Sequence, residues 1–113
     1  MGPLSVSGAS RRRLNRLSVL SVCGISVPLA STASSRLLGL ALLDPEDAGN
    51  GLLIPRCSAV HTFGMRFDLD ITFCDRSLRP LREIRGAGPR RFFRHSAAWA
   101  VLEVPSGRGG RGF

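Results

Sequence analysis

The stretch CSAVHTFGMRFDLDITFCD, residues 57–75, carries the strongest strand signals in the chain. Over 67–74 apolar and polar residues alternate, and a period of two places the two sets on opposite faces of an extended strand. A second run, 60–63, is also rich in β-branched and aromatic residues. Gly64 and Met65 separate the two runs, where a turn or a bulge fits. We therefore predict a core hairpin, or two strands joined by a tight corner.

Length and composition indicate one small β-rich domain. A chain of 113 residues suits a single core, and its 13 glycines and 7 prolines favour a turn-rich domain over a helical bundle. We expect this domain to cover 23–107. A basic, disordered tail is predicted over 1–22, and a glycine- and arginine-rich tail over 108–113.

Weaker signals on both sides extend the predicted sheet. The run SSRLLGLALL, 34–43, predicts one short helix that begins after a serine cap. Asp75-Arg76-Ser77 is typical of a hairpin turn, and Pro80 favours an edge position for the strand that follows. A long loop is expected over 85–96. Further strands are predicted over 19–27, 52–55, 78–84 and 97–105.

The net charge of +8 comes mostly from the chain ends. Residues 1–35 contain four arginines and no acid, and 104–113 contain two arginines and no acid. The middle, 36–103, carries ten arginines against eight acids, a net charge of only +2. Any electrostatic attraction to polyanions is therefore expected at the ends of the chain.

These ends make nucleic-acid binding one alternative function. The segment 90–94 adds Phe92 and Phe93, which are suited to stacking on bases, between three arginines. If this alternative holds, the affinity should fall steeply with salt, and removal of both tails should abolish binding.

The cysteines indicate neither a disulfide framework nor a metal site. Three cysteines without a C-x-x-C pair mildly favour a reducing compartment, so we expect a cytoplasmic protein. The alternative is export, if residues 11–33 act as a signal peptide. No stretch is long and apolar enough for a transmembrane helix. A metal site can be drawn from four side chains, but their spacing matches no established zinc pattern, so no metal or cofactor is expected. These four are Cys57, His61, Asp70 and Cys74.

The central stretch resembles the bacterial and archaeal family called domain of unknown function 192. The similarity covers about residues 25–107 and includes RLLGLALL and GLLIPRCSAV before HTFGMRFDLDITFCD, and AVLEVPSG after it. The resemblance implies a small all-β domain, a β-sandwich of jelly-roll type, and no established activity. Asp68 stands where the family usually has proline. GRGGRGF replaces a further turn and the last family strand, which implies an open sheet edge and a possible dimer through it.

Six polar residues at the recurrent blocks are candidates for a binding site. If they converge, they form a pocket for a small anionic ligand, because arginine suits carboxylate or phosphate. The structural alternative is that Asp70 and Glu103 pair with Arg36 and Arg66 only to satisfy buried charge. The six are Arg36, Arg56, His61, Arg66, Asp70 and Glu103.

An enzyme is the remaining alternative. His61 with Asp70 resembles a general-base pair, and Cys57 is near enough in sequence to serve as a nucleophile, as in a Cys/His hydrolase. No oxyanion hole, nucleophile elbow or phosphate loop is indicated. We therefore predict no catalytic residue, and a structural or small-ligand-binding β domain.

Overall fold

The computed structural model describes residues 19–30, 40 and 48–107, and this part of the chain is nearly all β. The prediction of a mainly-β domain is confirmed, while its jelly-roll topology stays a prediction. The predicted helix over 34–43 lies outside the described residues, apart from Leu40. The strands are β1 (Val19–Val22), β2 (Ile25–Pro28), β3 (Leu52–Pro55), β4 (Ala59–His61), β5 (Leu69–Cys74), β6 (Pro80–Ala87), β7 (Phe92–Arg94) and β8 (Ala100–Pro105).

A four-stranded antiparallel sheet with the order β3-β8-β5-β6 forms the centre of the fold. Its middle strands β5 and β8 are buried at every position, because both faces of the sheet are covered. On one face, Leu69, Ile71 and Phe73 belong to a cluster that we call the first core. On the other face, Leu102 and Val104 belong to the second core. The alternation over 67–74 therefore marks two buried faces.

Two small sheets cover these faces. The β1–β2 hairpin contributes Val22, Ile25 and Val27 to the second core. The β4–β7 pair contributes Val60 to the first core, with Phe93 packed against it. The central sheet thus lies between two two-stranded sheets, each of which buries one face.

Of the two arrangements predicted for the central runs, the hairpin is wrong, and the runs are separate strands joined by residues 62–68. Strand β4 pairs with β7, while β5 pairs with β6 and β8. The hydroxyl of Thr62, just after β4, donates to Gly88 O at 2.7 Å and accepts from Arg91 N at 2.7 Å. These long-range bonds hold the end of β4 beside the segment before β7. They place β4 in a different sheet from β5.

Two further boundaries differ from the prediction. The single strand expected over 19–27 is two strands, because Cys23 and Gly24 form a two-residue turn with φ values of 52° and 79°. Positive φ at both positions matches the right-handed twist of a tight hairpin. Strand β1 thus begins within the predicted tail, 1–22. The predicted loop over 85–96 contains the end of β6 and all of β7.

The turn after β5 is confirmed. Asp75 Oδ1 accepts hydrogen bonds from Ser77 N at 2.8 Å and Arg79 N at 3.0 Å, and Leu78 N donates to Asp75 O at 2.9 Å. This local bonding reverses the chain into β6, which lies at the edge of the sheet as Pro80 indicated.

Candidate functional site

The six candidate residues from the sequence do not form one cluster. Asp70 is the cross-strand partner of Val104, whereas Glu103 is the partner of Ile71. Since directly paired residues share a face, Asp70 and Glu103 lie on opposite faces of the central sheet. Arg36 lies outside the described residues. The remaining three lie on other elements, after β3 (Arg56), at the end of β4 (His61) and in the turn that follows β4 (Arg66).

The Asp70 carboxylate is satisfied by hydrogen bonds within the fold. The side chain is buried, and Oδ1 accepts hydrogen bonds from Gly86 N and from Ser106 Oγ, both at 2.9 Å. Ser106 N also donates to Asp68 O at 3.0 Å. The carboxylate therefore joins β6 to the residue that follows β8. Buried carboxylates are normally satisfied in this way.

Glu103 is the most perturbed carboxyl group among the described residues. It is buried on the first-core side of the sheet, where Oε1 accepts a hydrogen bond from Leu40 N at 3.3 Å. Burial raises its pKa from 4.5 to about 7, against the opposing effect of the Leu40 hydrogen bond. The side chain therefore titrates near neutral pH, and this makes it a determinant of stability (see Discussion).

Cys57 and His61 do not form the arrangement that a hydrolase needs. The Cys57 thiol donates to Ala59 O at 3.0 Å and packs against the first core. His61 is exposed, and its Nδ1 accepts a hydrogen bond from Phe63 N at 3.1 Å. Over 19–30, 40 and 48–107, no group of three or more His, Cys, Asp or Glu residues is placed to hold a metal ion.

Cys74 is predicted to resist thiol reagents in the folded protein. Burial raises its pKa to about 12, with smaller contributions from Cys23 and Asp75, so its reactive thiolate is scarce. Iodoacetamide at about pH 8 should modify exposed Cys23 at least about a hundredfold faster than Cys74, as followed by peptide mass spectrometry. After unfolding in guanidinium chloride the two rates should become similar. Equal rates in the folded protein would contradict the buried position of Cys74.

A cavity of about 690 Å³ lies between the β1–β2 hairpin and one end of the central sheet. The exposure of Leu20 shows that solvent can enter this cavity. Leu20 is paired with fully buried Val27 and therefore points inward, yet it remains 38% exposed. The described lining residues are apolar apart from two arginines. They are Leu20, Leu29, Ala30, Leu53, Pro55, Arg56, Arg76, Leu78 and Trp99.

Three separate segments bring the polar and aromatic residues to this cavity. Arg56 follows β3 in a left-handed conformation with φ 52°, and Leu78 adopts φ 63° in the turn after β5. The same turn carries Arg76, and Trp99 precedes β8. Bulky residues with positive φ are uncommon and mark positions that the surrounding structure constrains. The sequence identified Arg56 as a candidate but not Arg76, Leu78 or Trp99, because only the tertiary fold makes them neighbours.

The fold and this cavity define a small mainly-β domain with an apolar, arginine-lined pocket. The chain belongs to the family DUF192, described as "Uncharacterized ACR", whose model matches residues 19–111. A crystal structure of a protein of unknown function from Novosphingobium aromaticivorans is similar at 20% identity, with a TM-score of 0.57. The similarity covers 80% of this chain and 81% of that one, and it shows the fold alone. No curated protein matches the chain. Within the described residues, no helix is long and apolar enough to cross a membrane.

Proposed function

We propose that the domain binds a small organic anion with an apolar body in the cavity lined by Arg56, Arg76 and Trp99. The single observation that carries this proposal is the lining itself, which combines an apolar cavity with two guanidinium groups. It keeps the anionic ligand class that the sequence indicated. It changes the residues, because Arg56 is the one candidate among the described lining residues of the cavity.

The size of the cavity suits a small molecule. About 690 Å³ lies within the range of pockets that enclose cofactor- or drug-sized ligands. Leu29, Leu78 and Trp99 pack against the second core, so these parts of the wall rest on well-packed residues. A ligand that covers Leu20 would also remove exposed apolar surface from water, which favours binding.

The charge of the cavity favours an anionic group. The two arginines come from different segments, and among the described lining residues none is acidic. A guanidinium group binds a carboxylate through two parallel hydrogen bonds. The apolar remainder of the wall selects against small hydrated anions, which would lose their water without gaining contacts.

The test compares decanoate with decanol, which share an apolar chain and differ in the charged head. Trp99 is the only tryptophan and the chain has no tyrosine, so intrinsic fluorescence reports occupancy directly. We expect decanoate to bind roughly tenfold more tightly than decanol, because only the carboxylate is bound by the guanidinium groups. Native mass spectrometry should show one decanoate per chain.

Arg76→Gln is the informative variant, and Arg79→Gln is its matched control. Both change one exposed arginine in the same turn, but only Arg76 lines the cavity. Arg76→Gln should weaken decanoate binding roughly fivefold to tenfold and leave decanol binding unchanged. Arg79→Gln should change neither. The proposal is wrong if decanoate and decanol bind equally, if both variants behave alike, or if Trp99 fluorescence does not respond.

A further inference from the structure

The outer face of the β4–β7 sheet exposes a row of aromatic rings. In this sheet Val60 pairs with Phe93, and both point toward the first core. The neighbouring pair, His61 and Phe92, must then point away from it. Phe92 is 63% exposed, and His61 is exposed beside it.

Phe63 extends this row beyond the end of β4. It is 54% exposed, and its ring lies 5.6 Å from that of His61 with an interplanar angle of 50°. Phe63, His61 and Phe92 therefore form one continuous surface, which we call the ring platform. Large exposed aromatic side chains that adjoin one another are unusual on a protein surface and indicate an interaction site.

Arginines occur in both segments that carry the ring platform. Residues 57–67 contain one arginine, Arg66, residues 88–102 contain three, and neither segment contains an acidic residue. Arg94 shares the outer face with Phe92. Arg91 instead lies over Phe93, the ring that packs against the first core, with 5.3 Å between its guanidinium group and the ring centre. Asp68, whose carboxylate lies beside Gly88, is at the margin. Although residues 36–103 carry only +2 in total, Arg94 places positive charge on the same face as the rings.

We propose that the ring platform and its arginines bind single-stranded nucleic acid. Bases stack on Phe63, His61 and Phe92, and the neighbouring guanidinium groups contact phosphates. Aromatic rings on an open sheet face, next to positive charge, provide the two contacts that sequence-tolerant binding of single strands requires.

The same observations argue against a lipid surface. The exposed apolar side chains of this surface are aromatic, while the exposed aliphatic ones among the described residues lie on other strands. Val19 and Leu20 belong to β1, and Leu81 belongs to β6. Exposed aromatic rings offer stacking area for planar bases, whereas insertion among acyl chains requires long aliphatic side chains.

The experiment measures fluorescence anisotropy of labelled oligothymidylate and oligouridylate, each about 12 nucleotides long, with the full chain. Phe92→Ala should weaken binding roughly fivefold to a hundredfold, and Phe63→Ala should have a similar effect. Leu81→Ala is the control, since it removes an exposed apolar side chain on β6. Circular dichroism confirms that each variant is folded. The ratio of the two affinities shows whether RNA or DNA is preferred.

The salt dependence separates the phosphate contacts from stacking. Arg94→Gln should reduce the slope of log K against log salt by about 0.7, the value for one phosphate contact in a single strand. Arg82→Gln on β6 should leave the slope unchanged. Phe92→Ala should weaken binding at every salt concentration without changing the slope.

Three results would overturn the proposal. If Phe92→Ala and Phe63→Ala bind as the unmodified chain does, the basic chain ends rather than the ring platform carry the interaction. If a duplex of the same length binds as tightly, stacking contributes nothing. If neither oligonucleotide binds but vesicles containing phosphatidylserine do, and Phe92→Ala abolishes that binding, the platform is a membrane contact.

Discussion

Between about pH 4 and about pH 8, the free energy of unfolding is expected to fall by about 3 kcal/mol because of Glu103 alone. Burial on the first-core side of the sheet raises the pKa of this carboxyl group to about 7, against 4.5 for an ordinary glutamate. A change of this size is a large fraction of the stability of a small domain.

The direction of this pH dependence follows from the protons that Glu103 binds in the folded and in the unfolded chain. Below pH 4.5 Glu103 is protonated in both the folded and the unfolded chain, so the contribution to stability is fully present. Between pH 4.5 and about 7 the unfolded chain loses the proton while the folded chain keeps it. Stability therefore declines as the pH rises through this window, and it levels off above it.

Glu103→Gln isolates this effect from the other titrating groups. The glutamine oxygen can still accept the hydrogen bond from Leu40 N, but the side chain carries no charge at any pH. Urea unfolding should show similar stability for the two proteins near pH 4.5. Near pH 8 the variant should be more stable by about 3 kcal/mol. If the difference in stability between the two proteins does not change with pH, a cation compensates for the buried charge of Glu103. The pairing with Arg36 that the sequence indicates would have this effect.

The strands themselves were largely predictable, because each depends on local pattern. Strands β3, β5 and β8 coincide with short apolar runs, and the turn after β5 follows from the side-chain hydrogen bonds that Asp75 makes to nearby backbone. The division of 19–27 into two strands also had a local signal, since Gly24 permits a two-residue turn.

Strand partners were not predictable in the same way. Nothing near residue 60 indicates that Val60 pairs with Phe93, because this choice depends on burial against the first core and on the Thr62 hydrogen bonds. The relative placement of the candidate site residues was not predictable for the same reason. Asp70 and Glu103 were correctly identified as unusual polar residues, and both are buried. Only the β5–β8 register shows that they face opposite sides of the sheet.

Gly51→Ala is expected to destabilise the fold by about 3 kcal/mol or more. Gly51 adopts φ 123°, a conformation that side-chain-bearing residues rarely adopt, immediately before β3. A Cβ atom at this position would overlap the backbone carbonyl oxygen of Glu103. Since this carbonyl belongs to the middle of β8, the clash cannot be relieved by rotating a side chain. Strand β3 would have to move away from β8, and the Leu52–Glu103 pairing would be disturbed.

Gly49→Ala provides the matched control, because it separates backbone strain from the clash. Gly49 also has a positive φ, 57°, but a Cβ atom added there meets nothing within 4 Å. This variant should therefore show only the cost of the left-handed conformation, about 1 kcal/mol. Urea unfolding of both variants at one pH gives the comparison. If the two variants lose the same stability, the close approach of Gly51 to β8 contributes nothing. A much larger loss for Gly51→Ala would show that this contact fixes β3 against the centre of the sheet.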